Sequence, residues 1–512
     1  MSLKKVIVSG AAALALMGTA SFALANGVNT CSSSLTKNNN CQCANEDAVV
    51  QIGQDGTGDY LLAPVYYAVS NWSTELKVVN TNTTRAIVAK VVIRESKESK
   101  EILDFAIYLT PGDVWTGTIF DDNGIIKVKS TDDSMIIGGT VASPSNPIVV
   151  GAHPRRENPE NGKYHQENWH GYVEIFGMAS YDPNKIVQAY NSNHNPNVAE
   201  WKPCKALDKI AFYTVVKNGN DLNTKYNNID LNATDVTNCD LMGKEILYAE
   251  DNNVNGRRYM ALNMLALENF STGDALTNGA IGGQTLLTNM TNKGYNVLPE
   301  VDRALAKEHI YVMYEGDGNK VYPIRTHFTV PTKGYWFGLQ ANGGMLPSAY
   351  ASDDLYGEST FTANTGSEWA YTLDTNGTQI IARNMREKCN YCKPEYGEVS
   401  GEETTKKCGI KIHEEVHFFE YTNTNPANLY DASIPYKDLL FKEGGYVDFN
   451  LSDITYTTKT KNTQPRVNRA ITFKGMPIVP TTFYAKDVQG IYLNNWLYNQ
   501  YKDAKVSEVN ND

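Results

Sequence analysis

His413-Glu414-Glu415-Val416-His417 carries the H-E-x-x-H spacing of a zinc peptidase. On a helix the two histidines stand one turn apart on one face and bind Zn²⁺, with the glutamate between them as general base. The surrounding residues read as strand: Ile410-Lys411-Ile412 leads in and Phe418-Phe419-Glu420-Tyr421 leads out. On a strand the same two side chains share a face but stand roughly 13 Å apart, beyond the reach of one metal. The segment is therefore read as a strand with His413 and His417 facing solvent, and the zinc site as the sharper alternative.

Other groups are weighed in the same way. Cys389, Cys392, Cys408 and His413 have the order of a structural zinc site. In an exported chain a disulfide is the better reading, pairing one of Cys389 and Cys392 with Cys408, here Cys392. Cys204 and Cys239 form the second expected pair. Asp251-Asn252-Asn253-Val254-Asn255-Gly256 matches the first half of a calcium loop, with Asp251, Asn253 and Asn255 as oxygen donors. The twelfth position is Leu262 where such a loop needs a bidentate glutamate, so an ordinary Asn-Gly turn competes with calcium. His153, His165, His170 and His194 gather around a Pro-rich stretch and offer a metal or pH-sensing group, or simply decorate a wet loop. Asn232, Asn376 and Asn450 each open an Asn-x-Ser/Thr sequon with an acid two residues before, which is the extended acceptor pattern of bacterial N-glycosylation. Trp72, Trp115, Trp169 and Trp336 could form a sugar-binding face; aromatics in a β-sandwich are more often core. There is no P-loop, no dinucleotide fingerprint and no Gly-x-Ser-x-Gly elbow.

The N-terminus reads as a processing signal. Lys4 and Lys5 precede an apolar, small-residue run, and Ala23-Leu24-Ala25 is an A-x-A cleavage site. After residue 25 no run of about 18 apolar residues remains, so no membrane-spanning helix is expected. The net charge of −11 becomes more negative once the two lysines of the leader are removed, which argues against nucleic acid as a partner. All eight cysteines fall after the leader, as expected of a disulfide-containing exported chain.

The elements that must carry these residues are mostly strands. Thr74, Leu76 and Val78 alternate with polar residues; Ile87, Ala89, Val91 and Ile93 recur at every second position, as do Leu103, Phe105, Ile107 and Leu109. Asp121-Asp122-Asn123-Gly124 is a hairpin turn. Strand-like runs resume near 310–314, 326–330, 335–339, 378–382, 410–421, 446–451 and 470–473. Helices are expected only at 259–267, which is apolar and strand-poor, and at 299–307, where Pro299 opens a run of good helix formers. The expected division is a signal peptide at 1–25, a Cys/Asn-rich linker at 26–58, and an N-terminal β-sandwich at 59–200. A polar connector at 201–257 and a helical insert at 258–309 follow, then a C-terminal β-sandwich at 310–500 and a polar tail at 501–512. The fold class is thus mainly β: two sandwich or jelly-roll-like units with a small helical insert.

One stretch goes further. Val78-Val79-Asn80, Ala89-Lys90-Val91-Val92, Leu103-Asp104-Phe105, Pro111-Gly112-Asp113-Val114-Trp115, Gly171-Tyr172-Val173-Glu174, Thr329-Val330-Pro331-Thr332-Lys333 and Gly475-Met476-Pro477 resemble the motifs of a family of exported, β-rich bacterial surface proteins. The resemblance runs discontinuously from about residue 60 to 480 and implies export with surface or extracellular residence. It implies no catalytic residues.

These readings favour an exported cell-surface or extracellular structural protein without catalytic activity, associating with itself or with other surface proteins. No cofactor is expected on that reading, with calcium or zinc as the metals to test. A carbohydrate- or ligand-binding surface module with glycans as partners is the first alternative. A zinc-dependent hydrolase using residues 413–417 is the second.

Overall fold

The computed structural model describes residues 50–69, 72–96, 99, 101–123, 125–137, 140–141, 147–149, 169–193, 209–216, 224–234, 236, 240–251, 256–269, 291–292, 295–315, 324–332, 379–384, 390–391, 416–420, 444–452, 455–459, 469–488 and 491–511. The chain begins with β1 (Gln51–Ile52), β2 (Thr57–Gly58), β3 (Tyr60–Tyr67), β4 (Trp72–Asn80), β5 (Ala86–Glu95) and β6 (Glu101–Leu109). It continues with β7 (Val114–Asp122), β8 (Ile125–Ser130), β9 (Ile136–Ile137), β10 (Thr140–Val141), β11 (Ile148–Val149) and β12 (His170–Tyr181). Helices α1 (Pro183–Asn193) and α2 (Lys209–Val216) follow, then β13 (Lys225–Tyr226), β14 (Ile229–Asp230), β15 (Leu241–Asp251), β16 (Gly256–Asn263) and β17 (Leu265–Glu268). After β18 (Thr291–Asn292), β19 (Tyr295–Asn296) and α3 (Leu298–Leu305) come β20 (Ala306–Glu315), β21 (Ile324–Thr329), β22 (Gln379–Asn384) and β23 (Asn390–Tyr391). The last strands are β24 (Val416–Glu420), β25 (Gly444–Asn450), β26 (Thr455–Lys459), β27 (Arg469–Lys474), β28 (Met476–Pro477), β29 (Val479–Val488), β30 (Ile491–Tyr498), β31 (Gln500–Asp503) and β32 (Val506–Asn511).

The fold is mainly β and antiparallel. The first sheet has the order β1-β17-β3-β12-β5-β6, and the second β11-β8-β7-β4-β15-β16 with β2 also on β15. The alternation read in β4 and β5 sets how they meet. Leu76 and Val78 of β4, Ile87, Ala89, Val91 and Ile93 of β5, Phe105 and Ile107 of β6, and Trp115 and Ile119 of β7 join one apolar cluster drawn from both sheets. Phe105 meets Trp115 edge to face at 5.7 Å, across the two sheets. Gly117 is required there, because a Cβ at that position would sit 2.2 Å from the Trp115 ring.

The first sheet is covered on its other face as well. Every residue of β3, β5 and β12 is buried. Tyr60, Leu62, Val88, Val92, Tyr108 and Phe176 face a second cluster that contains Phe212 of α2, Leu298 of α3, Phe328 of β21 and Phe449 of β25. Strands buried on both faces give nearly continuous apolar runs, which is how Ile87–Ile93 reads. Helix α1 starts with Pro183 in its first turn, and the Asp182 carboxylate accepts from the Asn184 amide at 2.9 Å. Helix α2 lays Phe212 against Tyr108 and Tyr181.

Beyond α3, one sheet runs β23-β22-β25-β20-β28 with β31 also on β20, a second β24-β21-β29-β30, and a third β26-β27-β32. Phe328 and Phe449 meet edge to face at 5.0 Å and join the first two of these.

Several expected boundaries change. Residues 259–267 form β16 and β17, not a helix. Met260, Leu262 and Met264 are buried while Ala261 and Asn263 are exposed, so a period of two underlies an apparently unbroken apolar run. Pairing with β15 overrides the helix preference of Ala, Leu and Met. The stretch taken as a polar connector, 201–257, contains α2 and the eleven-residue β15, which pairs with β4. Helices therefore stand outside 258–309, and the first β unit extends past 200. The helix expected at 299–307 is present as α3. The end of the supposed linker, 50–58, supplies β1 and β2; Val50 donates to Glu300 at 2.7 Å, and Arg303 donates to the Val50 carbonyl. The tail at 501–512 supplies the end of β31 and all of β32. Polar composition misled here because an edge strand exposed on one face needs few apolar residues.

Candidate functional site: a buried polar face on the first sheet

Alternation along β5 places Lys90 and Arg94 on the face away from the second sheet, in line with Val88 and Val92. Register brings carboxylates beside them. Glu174 of β12 stands opposite Val92, and Asp104 of β6 stands opposite Val92 on the other side. Lys90 pairs with Asp104, and Arg94 pairs with Glu174. Arg94 also donates to the Ser99 carbonyl at 3.0 Å, and the Tyr60 hydroxyl donates to Glu174 at 3.0 Å. The Tyr172 hydroxyl lies 2.7 Å from the Ser99 hydroxyl and 3.1 Å from the Pro331 carbonyl, tying the cluster to the C-terminal half.

Glu101 completes the group. Burial, and then the Asp104 carboxylate, push its pKa up. The inventory agrees: two cations, Lys90 and Arg94, face three carboxyls, Glu101, Asp104 and Glu174, so a neutral Glu101 leaves the cluster balanced.

A second group adjoins it. The Tyr67 hydroxyl and His327 Nε2 are 2.7 Å apart. Trp169 stacks on His170 at 3.7 Å between ring centres, and His170 Nδ1 lies 3.4 Å from the Ser96 hydroxyl. Burial drives the His327 imidazole well below its ordinary pKa, and Arg325 and His170 push it the same way. It is therefore neutral, with one ring nitrogen donating and the other accepting. The Thr329 hydroxyl donates to the Pro64 carbonyl at 2.7 Å, a further bond from β21 to the first sheet.

A third contact anchors α2. Lys209 donates to the Tyr108 carbonyl at 3.1 Å and the Ser134 hydroxyl at 3.0 Å, and pairs with Asp113. Burial pushes its ammonium down to about 7, while the touching Asp113 carboxylate acts in the opposite direction.

Most of these side chains are buried; Asp104 and Asp113 keep partial exposure, at 30% and 21%. Lys90, Glu174, Tyr67, Tyr172 and His327 are 0% exposed. Chemically they stitch together segments far apart in sequence.

The residues singled out from sequence fall elsewhere. His417 lies in β24 with its backbone opposite Phe328, so no helix runs through it; His413 lies outside the described residues. The helical face that H-E-x-x-H needs is thus missing at its second histidine. Asp251 ends β15 with its backbone opposite Gly256, the first residue of β16; Asn253 and Asn255 lie outside the described residues. Cys204, Cys239, Cys392, Cys408 and Asn376 lie outside them too. Asn232 is exposed with φ +50, and its carbonyl accepts from Arg85. The sequon's Thr234 hydroxyl is 2.8 Å from that of Ser180. Asn450 ends β25, with backbone partners in both β20 and β22. Of the four clustered histidines, His170 is in the site described above, and His153, His165 and His194 lie outside the described residues. Trp72 and Trp115 are core residues.

Sequence reasoning missed Lys90, Arg94, Glu101, Asp104 and Glu174. The signal was present: Lys90 and Arg94 interrupt an otherwise apolar strand four residues apart, on one face.

No protein-family model, curated protein or solved structure matches the chain. Among the described residues no three His, Cys, Asp or Glu side chains converge as a metal-binding group, and no helix is long and apolar enough to cross a membrane.

Proposed function

We propose that this chain is an exported, non-catalytic structural protein of the cell surface or extracellular space that associates with copies of itself. Export rests on the leader-like residues 1–25. The structural role rests above all on one observation: most of the reactive side chains that the fold brings together are buried and paired with one another, Lys90 with Asp104 and Arg94 with Glu174 among them. A buried ionic and hydrogen-bonded group makes a rigid joint, and breaking one member is costly. Catalysis instead needs such groups in a cleft where substrate reaches them. Self-association is supported by β32, which lies at the edge of its sheet among the described residues and is exposed from Val506 to Asn510, with Val506 and Val509 at 42% and 43%. An exposed edge strand with apolar side chains is a template for pairing with another chain.

Light scattering on the natively purified, oxidised mature protein tests the reading. Large or repeating assemblies are expected. A clean monomer near the mature mass, at all accessible concentrations, overturns self-association. In that case glycan-array binding becomes the experiment for the ligand-binding alternative.

A further inference from the structure

We propose that Lys90 and Asp104 are joined by a spontaneous amide cross-link between neighbouring strands, with Glu101 as the proton shuttle. The residues meet three requirements of that chemistry. First, amine and carboxyl are in direct contact: Lys90 Nζ touches Asp104 Oδ2. They lie on the same face of adjacent strands, diagonal to each other in the β5–β6 register. Holding the reacting groups together in this way replaces a bimolecular encounter with an intramolecular one. Second, the site is dry on the lysine side, where the Lys90 side chain is 0% exposed. Amide formation needs an amine lone pair and an uncharged acid, and a dry surrounding keeps competing water from the reacting atoms. The Asp104 side chain is 30% exposed, which gives the expelled water a route out.

Third, a carboxyl whose pKa is raised stands on the same face as the pair. Residues three apart on a regular strand point to opposite faces. The register shift between Ile93 and Arg94 breaks that rule and returns Glu101 to the face of Asp104. There its carboxyl feels Asp104, Arg94, Lys90 and Glu174, and its Oε2 is buried with no hydrogen-bond partner among the described residues. Burial and the Asp104 charge raise its pKa, which favours the protonated form. A carboxyl oxygen without a hydrogen-bond partner, on the face that carries the lysine and the aspartate, is placed for general acid–base work.

The step balances without any co-reactant. The Lys90 ammonium passes one proton to the Asp104 carboxylate. The Nζ lone pair then forms a bond to Cγ. Glu101 gives its proton to the departing oxygen and takes one from Nζ. The carbon–oxygen bond breaks, one water leaves, and an amide bearing one hydrogen on nitrogen remains. Glu101 returns to its starting form. The Lys209–Asp113 contact provides an internal contrast: besides Asp113, the hydrogen-bond partners of that ammonium among the described residues are a carbonyl and a hydroxyl. It is expected to remain an ion pair.

Mass spectrometry of the full mature chain, thiol-reduced and denatured, is the test. The expected result is a mass lower by one water than the sequence requires. A branched tryptic species should join residues 86–94 to residues 101–127, with no cleavage after Lys90. Glu101→Gln, which keeps the side-chain shape, is expected to fold with an unchanged circular dichroism spectrum and to show the full sequence mass. Native protein at the full mass, cut normally after Lys90, overturns the cross-link. A Glu101→Gln protein that still carries the branched peptide overturns the role of Glu101. Should that variant not fold, the mass of the native chain decides alone.

Discussion

At the scale of single residues, the Tyr67–His327 contact and the buried Glu245 carry the clearest consequences. Tyr67→Phe keeps the ring and removes the hydroxyl that lies 2.7 Å from His327, leaving a ring nitrogen in a dry site. The expected cost is about 1–3 kcal/mol, read as a lower denaturant midpoint at unchanged slope. Glu245 sits in β15 opposite Leu76, is 0% exposed, and burial pushes its carboxyl well up. The folded state therefore holds this proton to higher pH than the unfolded chain, whose glutamate titrates near about 4.3. The stability that Glu245 contributes is complete below the unfolded value and is lost as pH rises toward the folded one. Glu245→Gln should match wild type in acid and exceed it at neutral pH. Unfolding titrations of both proteins across that range check the sign; a constant difference at all pH values contradicts it. Neither residue was singled out from sequence. A glutamate in β15 looks solvent-facing until the pairing partner is known, and Tyr67 and His327 are separated by most of the fold. Patterns that were visible, such as His413 to His417, depend on a helix that local strand preference denies.

At the scale of elements, strands read as alternating in the sequence are the ones that form. β4 and β8 are legible because each is half-buried with strict alternation, and β5 because its apolar run is bounded by turns. β16 and β17 were not legible, since Met, Ala and Leu fit a helix equally well and only their partners, β15 for β16 and β3 and β1 for β17, decide between the two. Two substitutions probe how elements hold together. Gly117→Ala would place a methyl 2.2 Å from the Trp115 ring between the two sheets, which must then shift. A loss of about 1–3 kcal/mol and a red shift of tryptophan emission are expected. A fully stable variant would mean the sheets slide easily. The C-terminal strands give the second probe. Asp503 pairs with the buried Lys307 at 2.7 Å but is 63% exposed, so Asp503→Asn alone should cost about 1 kcal/mol or less. Deleting residues 500–512 also strips β31 from β20 and β32 from β27. Its thermal midpoint should fall far more than that of Asp503→Asn. Equal midpoints would return these residues to the status of a tail.

At the scale of the whole molecule, the two expected β units share too much to be independent. The cluster on the outer face of the first sheet includes Tyr60 and Phe176 from one half and Phe328 and Phe449 from the other. The polar contacts follow the same line, through Tyr172 to Pro331, Tyr67 to His327, and Thr329 to Pro64. Val50 adds a third tie by bonding α3 while β1 pairs with β17. Sequence could not show this, because a domain boundary was inferred from polar composition, and composition does not report which distant strands share a core. Opening that joint would expose the apolar face of the first sheet together with its buried charges, so neither half has a stable state with the other unfolded. The described body should therefore unfold in one transition. Far-ultraviolet dichroism, which follows all strands, and near-ultraviolet dichroism, which follows the packed aromatics, should give the same midpoint in urea. A fragment spanning 59–200 should be insoluble for a related reason. It lacks β15 to pair with β4 and β17 to pair with β3, leaving two long strands, the apolar β3 and the half-buried β4, as bare edges. Two resolved transitions, or a soluble and cooperatively folded fragment, would restore the picture of separate β units and confine the buried polar face to a docking surface between them.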